Sequence, residues 1–111
     1  MKTLLEYRDE LMLAKNNPQK LAYLATEAGG DYAYYSEQSA ELTIKRAIFM
    51  DAEKYKSTPP LSDKACENKW ILTANGQEDI RTHKKLRGLE KLMSAIKNAT
   101  VVATVSARNQ Y

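Results

Sequence analysis

A chain of 111 residues, 28% charged and 43% hydrophobic with a net charge of +3, holds one small domain and has the balance of an ordinary folded protein, not of a disordered tail. Its single cysteine, Cys66, excludes an internal disulfide and suits a reducing compartment. Carboxylates at Glu6, Asp9 and Glu10 interrupt the apolar run a signal peptide needs, and no stretch is long enough for a membrane span, so a cytoplasmic protein without membrane contact is expected.

Thr3 followed by Glu6 has capping-box spacing, and Leu4, Leu5, Tyr7, Leu11 and Met12 supply helical periodicity, which predicts a helix over 4–15. Asn16-Asn17-Pro18 interrupts it and opens a second short helix over 18–28, Asn serving as cap and Pro as first-turn residue. Gly29-Gly30 is the clearest break in the chain, because two glycines lose much backbone entropy in a helix interior. From Asp31 to about Ser57 there is no Gly or Pro, and Ala33, Ala40, Ile44, Ala47, Ile48, Ala52 and Tyr55 mark one face of a long helix.

Thr58-Pro59-Pro60 ends that helix. Ser62 reads as the N-cap of the next, whose partly apolar face carries Ala65, Cys66, Lys69, Trp70 and Leu72, and Asn75-Gly76 closes or kinks that helix. A hairpin turn at Asn75-Gly76 is the alternative, discounted because the flanking residues do not alternate. The last helix runs from about Gln77 to Ser106, its β-branched Val101, Val102, Thr104 and Val105 being the weakest helix formers. Within it Leu86, Leu89, Met93, Ile96, Thr100 and Ala103 are spaced 3, 4, 3, 4, 3, the rhythm of a seam packed along another helix.

The fold class expected is all-α: a long antiparallel helical hairpin, 31–57 against 62–106, with residues 1–28 as short N-terminal helices and 31–111 as the hairpin of one domain. Two helices bury little apolar area, so a homo-oligomer is expected to complete the core. Tyr32, Tyr34 and Tyr35 cannot all face one core, and Tyr34 and Tyr35 are interface candidates together with Leu86, Leu89, Met93 and Ile96 of the seam. Trp70 reads as a buried anchor.

Little in the sequence promises chemistry. His83 has no metal-ligand partner at a suitable spacing, Cys66 stands seventeen positions from it, and Gly29-Gly30 lacks the further glycines of a nucleotide loop. An enzyme is therefore the least expected class, and no cofactor or metal is expected. Charge says more. Residues 77–111 carry seven basic and three acidic groups, an excess of four that accounts for the positive balance of the whole chain. With Leu86 as heptad position a, Arg81, Lys84, Arg87 and Lys91 fall at c, f, b and f, the outward positions, and Lys85 at the flanking g. Such a stripe suits a polyanion, since neutralised phosphates release counterions.

Tyr35-Ser36 opening a long helix, Tyr55-Lys56-Ser57 at its end, Ser62-Asp63-Lys64, the run Glu67-Asn68-Lys69-Trp70-Ile71-Leu72-Thr73-Ala74 and Ser94-Ala95-Ile96-Lys97 in the last helix follow one another in a familiar order. Over residues 32–111 this pattern resembles the UvsY-type recombination mediators of tailed phages and similar small helical phage proteins. The resemblance implies a helical oligomer in the host cytoplasm that binds single-stranded DNA and helps a RecA-like recombinase displace single-strand-binding protein. The basic element of that family near the end of the first long helix has no counterpart here, because Met50-Asp51-Ala52-Glu53 stands in its place. DNA contact is therefore expected at Arg81, Lys84, Lys85, Arg87 and Lys91. The alternative expectation is an inhibitor or adaptor whose basic face meets an acidic host nuclease or defence complex.

Overall fold

The computed structural model describes residues 1–109, with the side chains of all but Ala107 and Asn109. Among the described residues four helices follow one another: α1 (Leu4–Ala14), α2 (Pro18–Lys54), α3 (Asp63–Ile71) and α4 (Ala74–Asn109). The protein is all-α, and α2 and α4 form the long antiparallel pair. Residues 110 and 111, the end of the expected hairpin, lie outside the described residues.

Local capping chemistry places the helix starts. Thr3 Oγ1 accepts the Glu6 amide at 3.1 Å, Asn17 Oδ1 accepts that of Lys20 at 3.2 Å, and Ser62 Oγ accepts that of Ala65 at 3.2 Å. The start of α4 differs from the sequence expectation. Thr73 Oγ1 accepts the Gly76 amide at 2.9 Å and donates to the Trp70 carbonyl at 2.7 Å, so the break lies at residues 72–73 and Asn75-Gly76 sits inside the first turn of α4. Gly76 is needed there for room: a Cβ would stand 1.8 Å from the Trp70 carbonyl oxygen.

Gly29-Gly30 is not a break. α2 runs through both glycines without a positive φ, which joins the two segments expected to be separate helices. Two glycines cost about 2 kcal/mol of helix propensity, and contacts on both sides offset it. Ala28 and Leu24 are buried just before them, while Asp31 and Tyr32 just after them hold α1 and α4 by hydrogen bonds.

The chain divides into two compact units, one of Met1–Tyr34 with the chain from Lys85 onward, the other of Tyr35–Lys84. In the first, α1, the start of α2 and the end of α4 meet over Ala14, Leu21 and Ala103, with Leu11 and Ala99 packed against them. Tyr7, buried between helices, donates its hydroxyl to Asp31 at 2.6 Å. Burial and that hydrogen bond push the Tyr7 phenol well above its ordinary value. Lys2 bridges Glu10 and Glu27 at 2.6 and 2.7 Å, and Tyr32 donates to Glu90 at 3.0 Å. The weak helix formers near the end of α4 stay helical, with the Thr100 and Thr104 hydroxyls donating to carbonyls one turn back and Ala103 locked in the core.

In the second unit, Leu42, Cys66, Trp70 and Thr82 are buried, and Phe49 packs on Trp70 with ring centroids 5.5 Å apart. Trp70 is thus an anchor of the core. Arg46–Glu67 at 2.7 Å and Lys69–Glu53 at 3.3 Å stitch α2 to α3. Hydrogen bonds from Lys56 and then Lys69 hold the Glu53 carboxyl below the ordinary carboxylate range. The expected core face of α2 is overturned: Ala33, Ala40, Ile44, Ala47, Ile48, Ala52 and Tyr55 are all exposed. The buried and half-buried side is instead Tyr35, Leu42, Arg46, Phe49 and Glu53. Spacing misidentified the face because the inner side mixes aromatic, aliphatic and ion-paired residues, which an apolar count cannot recognise.

Two expectations follow for stability. Gly30→Ala, with open space around its Cβ position, should raise stability to urea by about 0.5–1 kcal/mol, whereas Gly76→Ala should lower it by more than about 2 kcal/mol; equal effects would contradict the corner described. Above pH 10, the ordinary tyrosine value, an unfolded chain loses the Tyr7 proton before the folded one does, so stability should fall as pH rises further. Tyr7→Phe should remove this alkaline component and cost about 1 kcal/mol at neutral pH, measured by urea melts at several pH values.

Candidate nucleic-acid-binding face

α4 sorts its residues by the sides that α1 and α2 occupy. Thr82, Leu89, Leu92, Ile96 and Ala103 are buried, and Lys85, Leu86, Gly88, Ala99 and Thr100 are half-buried. The sequence 82, 85, 89, 92, 96, 99, 103 is again a 3,4 repeat. It shares Leu89, Ile96 and Ala103 with the expected seam but replaces Met93, which is exposed, by Leu92. The seam is displaced because α1 also packs on α4: the Leu4 side chain lies directly over Gly88, and Leu11 lies beside the cluster containing Ala103.

This displacement decides the fate of the five expected cations. Lys85 turns inward, half-buried, and its Nζ donates to the Lys2 carbonyl at 3.0 Å, so it ties down the N-terminal segment and does not belong to an outward stripe. Arg81 is exposed but held by Glu78 one turn back, at 2.8 Å. Lys84, Arg87 and Lys91 are exposed, and none is ion-paired to a carboxylate among the described residues. At about 100° per residue they lie within an arc of roughly 60°, opposite the buried seam. The one acid in this stretch, Glu90, is engaged by the Tyr32 hydroxyl.

Of the interface candidates, Leu89 and Ile96 are consumed by the core of their own chain, Leu86 is half-buried, and Met93 and Tyr34 are exposed. Tyr35 is half-buried and Tyr32 is committed to Glu90, so neither presents a free ring for base stacking. His83 Nδ1 lies 2.8 Å from the Asp79 carbonyl oxygen, a local contact of the helix, and Asp79 accepts the Trp70 indole N–H at 3.4 Å. Among the described residues no cluster of three His, Cys, Asp or Glu forms a metal-binding group, and no helix is long and apolar enough to cross a membrane.

The cations left available are therefore fewer than the sequence promised, and their character is electrostatic. Lysine and arginine in a row on a helix hold phosphates, contacts that position a strand and carry no sequence information directly. Sequence periodicity missed Thr82 and Leu92 as seam members, although the repeat through 89, 96 and 103 would have reached them if α1 had been counted as a second neighbour. In comparisons with known proteins, no family model, curated protein or solved structure matches the chain.

Proposed function

We propose that this protein is a non-enzymatic accessory protein that binds single-stranded DNA through the outward arc of α4 and assists a RecA-like recombinase. The observation that carries the DNA half of this reading is the set Lys84, Arg87 and Lys91, exposed, on one side of one helix and without carboxylate partners among the described residues. Unpaired surface cations in a row gain free energy from a phosphate backbone through counterion release, and they lose no internal ion pair on binding. Arg81 adds a fourth charge once Glu78 yields it, at small cost for an exposed pair. The recombinase half rests on the resemblance of residues 32–111 to the phage mediators. Single-strand-binding protein is the further partner that role implies.

A salt titration of binding to a labelled oligo-dT tests the assignment. With three to four phosphates neutralised, the plot of log affinity against log salt should have a slope of about −2 to −3 for a single strand. Charge reversal of Lys84, Arg87 and Lys91 to Glu should weaken binding by at least about tenfold and flatten the slope, with helical content by circular dichroism unchanged. Unchanged affinity in the triple variant would remove the arc from the account.

A further inference from the structure

Two apolar surfaces are left without a partner, and their charges are opposite. The first is a groove of about 560 Å³ between α1 and α4 in the first unit. Its apolar lining is Leu11, Met12, Ala95, Ala99 and Val102, and the small Ala95 and Ala99 make room for large side chains from outside. Met12 and Val102 are more than half exposed. The charged residues lining it are Arg8 and Lys15, both cations; Asp9, which does not line it, stands 3.7 Å from the Arg8 guanidinium in an exposed pair that contributes little.

The second surface is the outer side of α2 in the second unit, the face the sequence had marked as core. Ala40, Ile44, Ala47 and Ile48 form its apolar ridge, with Ile44 62% and Ile48 66% exposed. Glu41 and Asp51 bracket the two isoleucines, and Glu37 lies one turn before Glu41; all three are exposed. Lys45 stands at the edge of this arc, leaving the ridge acidic on balance. The ridge from Glu41 to Asp51 extends about 15 Å, a span that matches the two turns of α1 between Arg8 and Lys15 once the reach of the long cationic side chains is included.

We propose that the groove of one copy receives the α2 ridge of a second copy, Ile44 and Ile48 resting over Ala95 and Ala99 while Glu41 and Asp51 meet Arg8 and Lys15. The charges select this arrangement over the like-on-like ones. Groove against groove would bring four cations together and ridge against ridge would oppose acids, each repulsive at contact distance. A groove-to-ridge contact joins two different surfaces, so it is satisfied either twice over in a two-fold dimer, each ridge in the other copy's groove, or head to tail in a ring or open array. The contact does not depend on the DNA reading. If both hold, the assembly carries the cations of α4 once per copy.

Charge exchange between the two surfaces gives the test. Arg8→Glu with Lys15→Glu makes both surfaces acidic, and Glu41→Lys with Asp51→Lys makes both basic. By sedimentation velocity across a concentration series, the unmodified protein should form dimers or larger species, whereas each double variant alone should fall back to monomer. A one-to-one mixture of the two variants should restore association, because the acidic groove of one now faces the basic ridge of the other. Circular dichroism checks that both variants keep their helical content, and Ile44→Ser with Ile48→Ser removes the apolar ridge without touching a charge; it should also yield monomer. A monomeric unmodified protein at every concentration overturns the proposal, as do variants that still associate alone or a mixture that stays monomeric. Loss of oligo-dT affinity in the α4 variant leaves this outcome untouched, since none of the substituted residues is shared.

Discussion

The packing of α4 against two neighbours at once is the constraint on which the rest depends. Leu89, Leu92, Ile96 and Ala103 are sealed on one side of that helix by α1 and the beginning of α2, with the Ala14–Leu21–Ala103 cluster where the three meet. A helix with a fixed buried side has a fixed exposed side. Lys84, Arg87 and Lys91 face outward because the residues two positions from them, Thr82, Lys85, Leu86 and Leu89, are turned inward, and Lys85 is held toward the Lys2 carbonyl for the same reason. The availability of the cations is therefore a consequence of core packing and not an independent feature of the surface.

Polar contacts locate the pieces that apolar burial leaves free to slide. Tyr7 on Asp31, Lys2 on Glu10 and Glu27, and Tyr32 on Glu90 fix α1 and α4 relative to the segment of α2 around Gly29-Gly30. In the second unit, Glu53, Arg46 and the Thr73 hydroxyl do the equivalent work around the buried Trp70. Exposed ion pairs contribute little each. The buried Tyr7 hydroxyl contributes more, because leaving it unpaired would strand a polar group in the core.

The sequence made the helical class, the N-caps at Thr3 and Ser62, the anchoring role of Trp70 and half of the α4 seam legible. Those features are set by local chemistry or by strict spacing, both visible in one dimension. The continuity of α2 was not legible, since the favourable terms that carry a helix through Gly29-Gly30 come from residues of α1 and α4 far away in sequence. Nor was its core face: Ile44 and Ile48 are better hydrophobes than Arg46 and Glu53, yet the latter pair is turned toward α3 by ion pairing. At the site, two of the five cations are engaged within the protein, Lys85 by the Lys2 carbonyl and Arg81 by Glu78, which charge spacing alone does not reveal. Two amphipathic surfaces that a single chain leaves open, the α1–α4 groove and the α2 ridge, only became distinguishable once the inner faces were known.

The functional reading is economical in what it asks of the protein. A helix supplies a row of charges, its opposite side supplies the attachment, and no residue is asked to perform chemistry. Nuclear magnetic resonance titration of an isotope-labelled sample with oligo-dT tests this most directly. The account requires amide shift changes concentrated between Lys84 and Lys91 of α4, with the buried Tyr7 and Leu21 region undisturbed. Perturbations confined to other helices, or none at saturating oligonucleotide, would contradict it.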